Sequence, residues 1–283
     1  MTIKGALENK HWLVKVITWV SITLVLTLFA MFIWSLLPGR GTVANLKWLQ
    51  FLQTTATFLL PPLCLAYLCS SQPLTYLRLK STSSSSAATT IIVAIATILL
   101  AIPCINLLSY LNQQISLPAF LEPLEAIMKQ QEEAAAALTE SFLQTRSIGG
   151  LIINIALMAL LPALSEELTF RGLLVRDRTA VWVAAIIFSA IHFQFYGFIP
   201  RMLLGALFGY VLLWTGSLWI PILMHFTNNC VAVLLYYIAY ARGENMDALD
   251  AFGTADTLWV GILSLILLVP AIYLLRKISI NKS

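Results

Sequence analysis

Charge is scarce in this chain. Asp, Glu, Lys and Arg make up 11% of its 283 residues, against about 25% in a soluble domain. With 59% of residues hydrophobic, this excludes a globular domain hung on an anchor and points to a polytopic membrane protein. Cysteine is equally sparse. Cys64, Cys69, Cys104 and Cys230 lie in or at the ends of apolar runs. No C-x-x-C spacing occurs, which argues against a zinc ribbon or a disulfide framework; the four read as small buried hydrophobes. No H-E-x-x-H is present, the helical motif that brings two zinc ligands and a base to many metalloproteases. No internal repeat is evident, which weighs against an inverted-repeat transporter. The net charge of +4 says little about nucleic acid, and no such partner is expected.

What the chain has is long apolar runs. A membrane helix needs about 20 mostly apolar residues. Eight stretches qualify, at 12–37, 48–70, 87–111, 148–175, 180–197, 198–216, 218–240 and 257–278. The expected fold is therefore all-α, a single transmembrane bundle over 1–283 with about eight spans. The first run follows Lys4 and Lys10 but is too long for a signal core, so it reads as a retained helix. Residues 81–86 read as a short Ser/Thr linker. Residues 112–147 form the one long polar connection, with helical patterning over 120–129 and 131–143. It lies flat in the interface or caps the bundle; both arrangements stay open. Gly205 and Gly209 form a G-x-x-x-G, a packing feature that lets helices approach closely.

With eight spans both termini share a side. Lys4, Lys10, Lys15, Arg78, Lys80, Arg176, Arg178, Arg276, Lys277 and Lys282 fall there. Arg40, Lys47, Lys129, Arg146, Arg201 and Arg242 fall on the other. The positive-inside rule then puts both termini in the cytoplasm, of the plasma membrane if the source is bacterial.

Against this apolar background a few polar residues stand out. Glu166, Glu167 and Arg171 lie within the fourth run, His192 in the fifth, and His225 with Asn229 in the seventh. Ionisable groups inside a bilayer are costly and default to a functional hypothesis. At about 1.5 Å rise per residue, Glu166, His192, His225 and Asn229 come to rest about 10 to 18 Å from the terminal side. Their agreement in depth favours one site, expected as a cavity reached from the cytoplasm. Glu167 and Arg171 are spaced i,i+4 and read as a supporting ion pair. Glu166 points about 100° away and is free for chemistry. Phe188 sits four residues before His192. Pro162, four residues before Glu166, removes a helix hydrogen bond and permits a kink.

These residues match a known pattern. Glu166-Glu167-x-x-x-Arg171, Phe188-x-x-x-His192 and His225-x-x-x-Asn229 resemble, in order, the three motifs of the CPBP intramembrane protease family. That family holds the CAAX prenyl endopeptidases of the Ras-converting type and the bacterial Abi and bacteriocin-processing proteins. The resemblance covers about residues 151–235, within an expected catalytic core at 148–240. It implies a membrane-embedded endopeptidase acting on a peptide or protein substrate, lipidated or membrane-associated, with membrane lipid around it. It implies that Glu166 and His192 activate a water and that His225 and Asn229 stabilise an oxyanion. Glu167, Arg171 and Phe188 take supporting places. Relatives are usually described as metalloproteases, while a glutamate-dependent, metal-free account stands for an archaeal one. The favoured reading needs no cofactor. The alternative is a zinc held by Glu166, His192 and His225, since a catalytic zinc takes three ligands and an open position. A non-proteolytic scaffold or immunity protein using the same cavity is the rival from another class.

Overall fold

The computed structural model describes residues 3–79, 87–244, 252–254 and 257–280. Lys80, the linker at 81–86, Asp247, Asp250, Asp256 and Lys282 lie outside these residues. Within them the chain is helical: α1 (Trp12–Leu36), α2 (Val43–Cys69), the short α3 (Pro73–Tyr76), α4 (Ala87–Gln113), α5 (Glu122–Leu143), α6 (Ile148–Leu174), α7 (Arg178–Ala190), α8 (Phe198–Thr215), α9 (Trp219–Arg242) and α10 (Leu258–Ile280). Among the described residues seven of these are long and apolar enough to cross a membrane. The protein is a multi-pass integral membrane protein.

The exception is α7. It has 13 residues and a length of about 20 Å, short of the roughly 30 Å hydrocarbon core. The expected fifth span at 180–197 therefore ends early, and His192 is not on a helix. Phe193 turns the chain with φ 53°. Ser189 Oγ donates to the Phe198 carbonyl at 2.7 Å and ties the turn to α8. The polar connection also differs from expectation. Its two helical pieces are one helix, α5, entered through a 3-10 turn at Ala119–Leu121 with Pro123 in the first helical turn. α5 buries Phe142 and Leu143 at its end, while Leu124, Ile127 and, in the preceding turn, Phe120 stay exposed.

The helices pack as a chain of neighbours. α1 lies on α2, α2 on α6, α6 on α9, and α4 carries α10 on its outer side. Only Ala30 of α1 is buried; exposed apolar side chains of this kind suit contact with lipid. α7 and α8 cross where the two glycines lie. A Cβ on Gly209 would sit 2.9 Å from Val181 Cγ1, and one on Gly205 would sit 3.4 Å from Ala185 Cα. Of the cysteines, Cys69 and Cys104 are buried, whereas Cys64 is exposed.

Proline interruptions recur where helices touch, and hydrocarbon offers no water to repair them. Pro62 cannot donate to the Phe58 carbonyl; Thr169 Oγ1 of α6 donates to it at 2.8 Å. Pro162 leaves the Met158 carbonyl; Asn229 Nδ2 of α9 donates to it at 3.4 Å. Beside Pro103, the Cys104 N–H donates to Ser264 Oγ at 3.1 Å, and that hydroxyl donates to the Leu100 carbonyl. In each case a polar side chain of the next helix enters the broken ladder. α6 also widens into π-helical turns at Ile155–Leu160 and Glu167–Leu174, a distortion often met at functional sites.

Candidate functional site

Glu166 and Glu167 stand where the α-helical part of α6 passes into its second π-helical stretch. The two carboxylates part company there. Glu167 is fully buried and Arg171 is 1% exposed. Arg171 Nη1 donates to Glu167 Oε1 at 2.9 Å, and Nη2 donates to the Gly205 carbonyl at 3.0 Å. The guanidinium also lies 4.5 Å from the Phe188 ring centroid and 5.5 Å from that of Phe208. Such contacts suit a desolvated cation. Gly205 is needed here because a Cβ would stand 2.9 Å from Arg171 Nη2. The G-x-x-x-G thus does more than let helices approach: one of its members makes room for Arg171 and binds it.

Glu167 Oε1 has a second partner, His225 Nδ1 of α9, at 2.9 Å. A carboxylate accepts, so Nδ1 carries the proton. The other ring nitrogen, Nε2, then faces Glu166 Oε2 at 3.8 Å. The ring stacks on Phe208 at 5.4 Å and meets Phe188 edge-on at 6.3 Å. Glu167 therefore orients the histidine as well as holding the arginine, a role that spacing within α6 alone could not reveal. Glu167 Oε2 is buried and makes no hydrogen bond.

His192 reaches the same place from the turn after α7. Its Nδ1 donates to the Phe188 carbonyl at 2.7 Å, which leaves Nε2 as an acceptor. Its ring also packs edge-on against Phe188 at 5.0 Å. The i,i+4 pairing with Phe188 survives although the helix has ended.

Glu166, His192, His225 and Asn229 line one cavity of about 260 Å³, together with Phe188, Ser109, Asn228, Arg201 and Phe208. The expected convergence of the four residues is present. The supporting residues Glu167 and Arg171 lie beneath the cavity rather than in its wall. A second, 150 Å³ cavity between α4 and α9 shares Ile105 and Asn228 with the first. Asn229 is part-committed: its amide donates to Met158, and its Oδ1 accepts from Asn228 Nδ2 at 3.2 Å.

Three contributors escaped the sequence. Arg201, counted there as a loop base, lines the cavity from the first turn of α8. Asn112, at the end of α4, clamps the turn after His192. It donates to the Phe195 carbonyl at 3.1 Å and accepts from the Ile199 N–H at 2.9 Å. The third is α5, whose Glu125 accepts from the Tyr196 hydroxyl at 3.2 Å and whose Glu132 accepts from the Tyr196 N–H at 3.3 Å. Lys129, paired with Glu125 at 3.0 Å, and the Leu117 N–H hold the Glu125 carboxyl below the usual carboxylate range. A charge at the start of an apolar run was the one signal for Arg201; Asn112 gave none.

The cavity also has a side. Past Glu166, toward the end of α6 nearest the termini, the next residues are the buried Glu167, Phe170 and Arg171. Ser109, by contrast, lies near the end of α4, and Gly197 and Arg201 lie at the start of α8, beside the turn whose Tyr196 meets α5. The lining is thus weighted toward the turn that α5 clamps.

Among the described residues no three His, Cys, Asp or Glu side chains are placed to hold a metal ion together. Glu166 and His225 approach each other, but His192 does not complete a ligand group with them.

With this arrangement in view, comparison with known proteins is informative. The family model of the type II CAAX prenyl endopeptidase Rce1-like proteins matches residues 148–231. Over this stretch the chain is similar to that family. The match runs from the start of α6 into α9 and takes in every residue of the three motifs. The uncharacterized protein YpbD of Bacillus subtilis (strain 168) is 32% identical over 100 residues, which is 34% of this chain and 52% of YpbD. The chain thus spans about half the length of the curated relative it matches. No solved structure matches it.

The paired arrangement predicts the behaviour of Arg171. Arg171→Ala leaves Glu167 buried with only His225 beside it, and breaking a buried pair costs about 3–5 kcal/mol. The melting temperature in detergent should fall sharply. An unchanged melting temperature would show that Arg171 does not hold the fold.

Proposed function

We propose that this chain is an intramembrane endopeptidase that hydrolyses a peptide bond of a membrane-associated or lipidated peptide. The observation that carries the reading is the cavity shared by Glu166, His192, His225 and Asn229, delivered by α6, α9 and the turn after α7. Glu166 acts as general base. It takes a proton from a water whose second hydrogen is accepted by His192 Nε2. The water oxygen adds to the peptide carbonyl carbon, and the carbonyl oxygen becomes an oxyanion. Asn229 Nδ2 and His225 Nε2 donate to that oxyanion. Preorganised donors at such a position lower the barrier where charge develops. His225 can serve only with its ring doubly protonated, because Nδ1–H is given to Glu167. Collapse of the intermediate breaks the C–N bond, and the leaving amine takes the proton from Glu166.

No cofactor takes part in this scheme. The apolar continuation between α4 and α9 suits the hydrophobic part of a substrate, and membrane lipid surrounds the bundle.

Glu166→Gln keeps the size of the side chain and removes the base, so peptide cleavage by purified protein should fall by at least about 10²-fold, the lower range for general-base catalysis. The melting temperature should stay near that of wild type. Cleavage should survive a chelator, with less than one zinc per chain by elemental analysis. Cleavage undiminished in Glu166→Gln would remove the assigned base, and stoichiometric zinc whose removal abolishes activity would require the zinc alternative.

The termini are proposed to be cytoplasmic, with the cavity on the opposite side. Lys47 and Arg201 lie within α2 and α8, which leaves Arg40, Lys129, Arg146 and Arg242 on that opposite side and strengthens the bias. An alkaline phosphatase fused after Ser283 should be inactive in Escherichia coli. An active fusion would place the cavity on the cytoplasmic side and favour cytoplasmic lipidated substrates.

A further inference from the structure

Arg201 is the cavity-lining cation that no carboxylate neutralises by contact. Among the described residues its guanidinium makes no ion pair. The other guanidinium of the site, Arg171, is buried and shared between Glu167 and Gly205. Arg201 is nonetheless held in position. Its Nη2 donates to Gln194 Oε1 at 2.7 Å, and Gly197 leaves the space, since a Cβ there would stand 2.8 Å from Nη2. Gln194 and Gly197 belong to the turn that Asn112 and α5 clamp. An arginine of five N–H donors is thus presented on a fixed turn, in the wall that also holds Glu166. It stands in the first turn of α8, where the helix dipole adds to its positive charge. A hydrophobic peptide brings few groups that need such a partner. Its carboxylates do, and a guanidinium meets a carboxylate with two parallel hydrogen bonds.

We propose that Arg201 is a specificity-determining residue that receives a carboxylate of the substrate, the terminal one or that of an acidic side chain, and so sets which bond lies over Glu166. This deepens the peptidase reading and rests on it for the meaning of the bound peptide. The carboxylate also approaches a site that already holds Glu166, and Arg201 offsets that repulsion. Because the guanidinium is already fixed by Gln194, little side-chain entropy is lost on binding.

The test is binding rather than turnover. Full-length Glu166→Gln protein in lipid nanodiscs is mixed with three pools of fluorescein-labelled hexapeptides of randomised apolar sequence. One pool has a free carboxyl end, one has an amidated end, and one has an amidated end with a single internal Glu. Retention should favour a carboxylate pool at least about tenfold over the neutral amide pool, equivalent to about 1.4 kcal/mol. Arg201→Gln should abolish that preference and Arg201→Lys should keep part of it. Preference for the free-acid pool identifies the terminal carboxylate, and preference for the Glu pool identifies a side chain. Equal retention of all pools, no retention of any, or a preference that survives Arg201→Gln would overturn the proposal. Cleavage by the Glu166-containing protein is scored separately. Arg201-dependent retention without cleavage would refute the peptidase reading and leave the anchor standing, whereas cleavage with Arg201-independent retention would do the reverse.

Discussion

The structure turns on one carboxylate oxygen. Glu167 Oε1 accepts from both Arg171 and His225, in a region where a lone charge would cost several kcal/mol. That single atom joins α6 to α9, and Arg171 carries the connection on to α8 through the Gly205 carbonyl. Three helices are pinned at one level by a group that does not itself line the cavity. Glu166, one residue earlier and rotated away, is left facing His225 Nε2 with no arginine in contact. Adjacent residues of the same type thus do different work because one is spent on structure.

Around this core the bilayer imposes a uniform rule. Where proline opens a helix, the neighbouring helix supplies a hydroxyl or amide, as Thr169, Asn229 and Ser264 do. Asn229 carries both burdens, since it supports the broken turn of α6 and borders the cavity. α6 also changes its winding at the site, its α-helical part ending at Glu166 and a π-helical stretch beginning at Glu167.

Much of this was legible in the sequence, for a physical reason. Intramembrane charges are so costly that Glu166, Glu167, Arg171, His192, His225 and Asn229 stand out without any structure, and helical spacing identified the Glu167–Arg171 pair. Span lengths gave the all-α bundle and most helix boundaries. The failures share a cause as well. The run 180–197 is apolar throughout, so composition could not show that a left-handed turn at Phe193 ends α7 and leaves His192 on a loop. Contacts between helices are invisible to spacing within one helix. The second partner of Glu167, the clamp made by Asn112 and the inward place of Arg201 were therefore out of reach.

The central claim is that water, activated beside Glu166, is added across a peptide bond. Hydrolysis leaves a mark that binding alone cannot. Purified protein in lipid would be incubated with a pool of membrane-associated peptides in water enriched in heavy oxygen, and new carboxyl ends would be read by mass spectrometry. Hydrolysis predicts that each new end carries one heavy oxygen and that these ends vanish in Glu166→Gln. New ends absent from the wild-type reaction, or equally abundant in Glu166→Gln, would contradict it and leave the cavity as a binding site only.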